Sequence, residues 1–394
     1  MSAHHHRGAT LPVTPGMRRV VLAVLVPLVL ATIAGLVVLW PTEERSSTVG
    51  VERYNATVLE TMECADSPDP GCVEAVIRID SGPDEGTAVT VAMPYGPGFP
   101  EFTAGDEIVV FGNLEWPLEE RYSVNDFQRS VPLLLLAVLF AVAVVVLSRW
   151  RGLAALAGLA ISILVLTLFV LPALLEGSSP LAVAVVGASA IMIVTLYLSH
   201  GFSMKTSVAL IGTLISLTLT GALGYVFTDL AQFVGLADEY AADVSMLAQQ
   251  VDVRGLLLAG LVIGALGVLD DVTVSQASTV WEIARADPDA PRRTIFAAGL
   301  RVGRDHVAAT VNTLVLAYAG ASLPLLLLFA AVDTGVIEVV TMELVAQEVV
   351  RALVGSLGIV AAVPVTTGLA ALAVRESTRH SRGRRALRSV EVES

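Results

Sequence analysis

Apolar positions in this chain fall in long unbroken runs, not in the alternating or every-third patterns of a soluble fold. Eight runs stand out, at roughly 19–40, 131–147, 152–175, 181–199, 206–228, 255–280, 307–330 and 352–374. Each is long enough for a helix to cross the ~30 Å hydrocarbon layer of a bilayer, or nearly so. All but the sixth lack a charged residue in the interior. Residues 41–128 read differently. Short β-branched or alternating stretches at Tyr54–Leu59, Val73–Ile79, Thr87–Met93 and Glu107–Phe111 are separated by turn signals at Ser81-Gly-Pro-Asp84, Pro94-Tyr-Gly-Pro-Gly98 and Ala104-Gly-Asp106. The pattern predicts an all-α polytopic membrane bundle of about eight transmembrane helices. A small extracytoplasmic β-rich, OB-like domain is inserted after the first helix.

Composition sharpens this. Of 394 residues, 55% are hydrophobic and only 15% charged, against about 25% charged in soluble domains. That excludes an ordinary soluble enzyme and a disordered chain alike. The basic residues give an orientation, because cytoplasmic loops are rich in Arg and Lys. With the N-terminus inside and eight crossings, 17 of the 24 basic residues fall in cytoplasmic segments and 28 of the 37 acidic residues on the outer side. The expected organisation is a cytoplasmic tail (1–18), a signal anchor (19–40), an extracytoplasmic β-rich domain (41–128), a seven-helix bundle (129–375) and a basic cytoplasmic tail (376–394). The first span also fits a cleaved signal peptide, although no Ala-x-Ala site follows it. No stretch interleaves basic and aromatic residues, so nucleic acid is not an expected partner. Cys64 and Cys72 can form one bridge in an oxidising compartment.

The sixth span carries the costly feature. Asp270 and Asp271 are adjacent inside an apolar helix, where each acidic residue costs on the order of 2.5–3.5 kcal/mol near a bilayer centre. Gly260, Gly264, Gly267, Asp271, Ser275, Ser278 and Glu282 are spaced by three and four and share one face. Small residues let helices approach, so the three glycines are expected as packing positions and Asp271 at a helix–helix contact. Asp270 is rotated by about 100° among apolar residues and is expected to matter less. Adjacent carboxylates in low dielectric do not both ionise cheaply, which suits a proton relay. The plainer reading is a carboxylate that pairs with Arg or bonds a neighbouring helix. The seventh span offers Thr310 and Asn312 as polar-core candidates, with His306 and Thr313 near Thr310's face. Two acidic outer segments, 229–254 and 331–348, are expected to form short helices over the bundle's outer mouth.

Three stretches carry a resemblance. Gly264-Ala-Leu-Gly-Val-Leu-Asp-Asp-Val-Thr-Val-Ser-Gln-Ala-Ser278 followed by Glu282 is one. Arg304-Asp-His-Val-Ala-Ala-Thr-Val-Asn-Thr-Leu-Val-Leu-Ala-Tyr-Ala-Gly320 is another. Arg351-Ala-Leu-Val-Gly355-Ser-Leu-Gly358 with Val363-Pro-Val-Thr-Thr367 completes the set. Together they resemble the YibE/F family of bacterial membrane proteins, from about residue 50 to 375. The resemblance implies a multi-pass protein of the bacterial plasma membrane, in which an acidic residue at the position of Asp271 is usual and the position of Asp270 is often apolar. Gly267-Val-Leu-Asp-Asp-Val-Thr-Val is also similar to the paired-aspartate helix of resistance-nodulation-division transporters and Sec accessory membrane proteins. That similarity implies a proton-coupled machine, although the large outer domains of those transporters are lacking here.

The expected function is a transporter or permease-like protein, proton-coupled through Asp271, that moves an unknown small solute or ion. The competing expectation is a non-transporting scaffold whose outer domain binds an envelope protein, or a homo-oligomer. No Ser/His/Asp set, metal-ligand spacing or phosphate-binding Gly loop is present. No cofactor, metal or enzymatic activity is expected, and the lipid bilayer is the expected surrounding partner.

Overall fold

A computed structural model describes residues 15–42, 52–64, 72–93, 96, 99–236, 243, 244, 246, 250–331 and 335–374. The chain divides into two compact units. One joins residues up to Thr42 with those from Trp150 onward, and the other spans Glu43–Arg149.

The second unit holds five strands: β1 (Glu52–Glu63), β2 (Val73–Ile79), β3 (Ala88–Ala92), β4 (Glu107–Gly112) and β5 (Tyr122–Phe127). They pair antiparallel in the order β3-β2-β1-β4-β5, and β3 approaches β5. The resulting path, 1-2-3-5-4-1, is that of an OB barrel. Alternate residues turn inward: Ala75, Ile77 and Ile79 on β2, Val89 and Val91 on β3, Ile108 and Val110 on β4. β5 was not expected, because Ser123, Asn125 and Asp126 interrupt the apolar alternation. It is held by its pairing with β4 and by Tyr122, which turns into the core against Tyr54. Gly82 sits at φ +95° with the Tyr54 ring so close that a Cβ would lie 2.3 Å from it, so only glycine fits this turn. Cys64 and Cys72 form a disulfide beside the β1–β2 connection. The Pro94–Gly98 turn signal lies mostly outside the described residues. The same unit contains α2 (Ser130–Ser148), expected as the first helix of the bundle.

The helices of the first unit are α1 (Pro15–Val38), α3 (Trp150–Val165), α4 (Leu171–Leu175), α5 (Pro180–His200), α6 (Met204–Leu230) and α7 (Val253–Ala286). They continue with α8 (Arg292–Ala321), α9 (Leu323–Ala331), α10 (Val336–Thr341) and α11 (Glu343–Ala373). One wide π turn, Leu166–Val170, links α3 to α4. Their ends follow local chemistry. Ser203 caps α6 by accepting from the Thr206 N–H, and Asp252 caps α7 by accepting from the Gly255 N–H. Pro180 opens α5, where its missing N–H costs nothing.

Among the described residues, seven helices are long and apolar enough to span a membrane. The expected span 307–330 is the exception. Its helix already starts at Arg292 and bends by 60° between α8 and α9. Pro324 lies just past the break: it has no N–H to donate to the carbonyl four residues back, at Gly320, and its ring crowds that carbonyl. Of the two segments expected on the outer side, 237–242, 245, 247–249 and 332–334 lie outside the described residues. The described part of 331–348 includes the short α10, where Val339 is buried but Val336 and Val340 are exposed. The Glu343 carboxylate accepts from the N–H groups of Val234 and Gly235, tying the end of α6 to the start of α11.

Helices α6, α7 and α11 pack as a trio, with α5 and α8 against α7. α6 and α11 meet through reciprocal close contacts. A Cβ on Gly212 would lie 2.4 Å from Thr366 Oγ1, and one on Gly358 would lie 2.1 Å from Thr220 Oγ1. Each glycine thus makes room for a threonine of the opposite helix, as small residues do in membrane helix pairs. The outward surfaces are apolar, including Leu153, Leu159 and Ile163 on α3 and Ile215 and Leu219 on α6. Such exposure suits a lipid environment and not water.

Candidate functional site: a cleft beside Asp270

The buried face of α7 is formed by Leu258, Val262, Ala265, Leu269, Val272, Gln276, Val280 and Ala284. The stripe expected to pack lies on the opposite side. Gly260, Gly264, Gly267, Asp271 and Glu282 are exposed, and Ser275 and Ser278 are half-buried. Nothing among the described residues lies within 4 Å of a Cβ built on Gly260 or Gly267; at Gly264 only the Tyr318 hydroxyl does. The expectation that these glycines seat a neighbouring helix is therefore corrected within this chain. Large branched side chains, which bury more area, turned the other face inward.

The same rotation reverses the expected order of the aspartates. The Asp271 side chain is 79% exposed, with its carboxylate 4.0 Å from His306 Nε2. Asp270 is half-buried, its Oδ1 is fully enclosed, and that oxygen has no hydrogen-bond partner among the described residues. A buried acceptor without a partner is costly. Asp270 lines a cleft of about 340 Å³ between α3, α5 and α7. Leu159, Leu166, Ile191, Met192, Ile263 and Leu266 make its walls apolar. Gly158 and Gly267 keep it open, and Ala155 and Leu159 are exposed on the α3 side. The hydroxyls of Ser162 and Thr195 donate to carbonyls of their own helices, Gly158 and Ile191. Leu166, at the edge of the cleft, begins the π turn. Such turns are frequent at functional sites.

The other expected site residues scatter. Ser275 Oγ donates to the Val272 carbonyl. Glu282 forms a surface ion pair with Arg285 at 2.7 Å, of a kind worth little. Thr310 donates to the His306 carbonyl, Thr313 to that of Ala309, and Asn312 is exposed. From α8, His306 approaches Asp271, whereas the Thr310 and Thr313 hydroxyls are bonded within their own helix.

One polar network was not foreseen. The Gln276 amide donates to the Gly299 carbonyl at 2.8 Å and to Thr367 Oγ1 at 2.7 Å, tying α7 to α8 and α11. Thr273 and Thr213 bond each other between α7 and α6. Gln276 within the membrane-spanning stretch of α7 was the available signal.

A multi-pass helical membrane protein with one carboxylate facing an apolar cleft is the class these observations define. The sequence pattern of the family described as YibE/F-like protein matches residues 136–376, and the chain belongs to that family. Comparison with curated proteins gives no match, and comparison with solved structures gives none.

Proposed function

We propose that the protein is a proton-coupled transporter of the bacterial plasma membrane and that Asp270 is the carboxyl group that gains and loses the proton. The observation that carries this reading is the enclosed, unpartnered Asp270 oxygen at the wall of a cleft. Ionisable residues inside membrane spans mark ion and substrate pathways. Asp271, 4.0 Å from His306 Nε2, faces away from the cleft on the exposed side of α7, so it is the control carboxylate and not the carrier. The charge bias of the loops supports cytoplasmic termini and an extracytoplasmic strand domain.

The test uses the full chain in liposomes with an imposed proton gradient and a panel of labelled solutes. A flux that collapses with a protonophore should be lost in Asp270→Asn and retained in Asp271→Asn at more than half its rate. Undiminished flux in Asp270→Asn would overturn the assignment. A panel without any proton-dependent flux would favour the scaffold reading. That reading has one observation of its own: Leu114, Trp116 and Leu118 are exposed together on the β4–β5 connection, where an envelope protein could dock.

A further inference from the structure

We propose that the Asp270 cleft binds a lipophilic amine, its ammonium group on the Asp270 carboxylate and its apolar body between α3, α5 and α7. This names a substrate class for the proposed transporter and rests on that reading.

Three features of the cleft select this chemistry. The volume of about 340 Å³ falls within the range of small-molecule sites. Its walls are aliphatic, so the body of the ligand must be apolar. Of its hydroxyls, those of Ser162 and Thr195 donate within their own helices, and Ser199 lies half-buried at the lining. The cleft's carboxyl group is that of Asp270, whose enclosed oxygen has no partner among the described residues. A ligand that satisfies an ionised carboxylate there must donate a hydrogen bond and carry positive charge. A bare inorganic cation fits poorly, because such ions take several oxygen ligands. No group of three His, Cys, Asp or Glu side chains that could hold a metal ion occurs among the described residues. Anions are disfavoured by the carboxylate itself.

The charged surroundings agree. The cleft-lining stretches of α3 and α5 hold no ionisable group except Tyr197, whose hydroxyl bonds Ser207. On α7 the neighbour is Asp271, and from α8 His306 approaches Asp271. Among the described residues, no Lys or Arg lines the cleft to compete for Asp270. The exposed Ala155 and Leu159 leave the cleft open on the α3 side, a route for a lipid-soluble molecule. Proton balance follows directly. When the ammonium docks, the Asp270 carboxyl releases its proton to water; when the carboxyl is reprotonated, the ammonium leaves. Amine and proton therefore exchange at one group.

The test measures binding of radiolabelled 4-phenylbutylamine to the purified full chain in detergent, with 4-phenylbutanol as the neutral competitor of the same shape. The expected result is saturable binding, weakened at least about tenfold in Asp270→Asn and within about twofold of wild type in Asp271→Asn. The alcohol should compete at least about tenfold less well than the amine. Ala155→Trp, which fills the cleft but keeps the carboxyl, should lose the amine as well and serves if Asp270→Asn does not fold. No saturable binding, equal binding by Asp270→Asn or Ala155→Trp, or an alcohol as good as the amine would overturn the inference. The last result would mark the cleft as a seat for neutral acyl chains. Proton-dependent flux lost in Asp270→Asn without amine binding would overturn this inference and leave the proton reading standing. Amine binding that needs Asp270, beside flux that does not, would do the reverse.

Discussion

Asp270 and Asp271 are one residue and about 100° of helix rotation apart, and that rotation separates a cleft from the open surface. The sequence shows that the pair is unusual. It does not show which member is enclosed, because both faces of α7 offer a coherent stripe. Glycine and serine at three- and four-residue spacing suggest a packing seam, but Leu258, Val262, Leu269 and Val280 bury more area and set the rotation. Residues of the strand domain titrate in a defined environment. The Tyr122 hydroxyl and the Arg121 guanidinium both donate to the Asp84 carboxylate, at 2.7 and 2.6 Å, and hold it below the usual carboxylate range. The same contacts bear on Tyr122, whose hydroxyl is pushed up to about 12 by burial and by the Asp84 bond. A carboxyl lowered in the folded state adds stability above its unfolded value of about 3.9, and that stability is lost as pH falls through the folded value. Acidification below about pH 4 should therefore raise hydrogen exchange in the 80–87 turn of the full chain. Asp84→Asn should show raised exchange already at neutral pH and a flatter acid response; an unchanged acid response in that variant would contradict the assignment.

At the scale of elements, what sequence patterns record well is long apolar runs and β alternation. Four of the five strands and most spans were legible for that reason. β5 was not, because its stability comes from its pairing with β4, a tertiary contact that Ser123 and Asn125 do not advertise. The bend between α8 and α9 was missed because hydropathy continues through Leu323–Leu328 although the backbone does not. The α6–α11 seam was invisible for a different cause: Gly212 with Thr366 and Thr220 with Gly358 pair across more than a hundred residues. That seam makes a sharp prediction. Gly358→Ala should lower the thermal stability of the full chain, by about 1–3 kcal/mol for overpacking. Adding Thr220→Ala removes the Oγ1 at 2.1 Å, leaves the Cβ at 3.3 Å, and should restore most of the loss. A double variant no more stable than the single would show that the contact does not limit packing.

At the scale of the whole molecule, the chain combines a small disulfide-bearing strand barrel with a helical membrane unit. The class was legible from composition and run length. The enclosed carboxylate of the candidate site was legible only to within one residue. Rotation of α7 is a property of the trio α6, α7 and α11, tied by Thr213–Thr273 and by Gln276 to Thr367, and no single segment encodes it. The central claim is that this packing encloses Asp270 as the proton-carrying group. Carbodiimide labelling of the full chain, with modified peptides mapped by mass spectrometry, tests it most directly, since the reagent attacks protonated carboxyl groups in apolar surroundings. The account predicts modification at Asp270 and little at Asp271, with labelling of Asp270 reduced in Ala155→Trp. Modification of Asp271 alone, or an unmodified Asp270 in a recovered peptide, would contradict it.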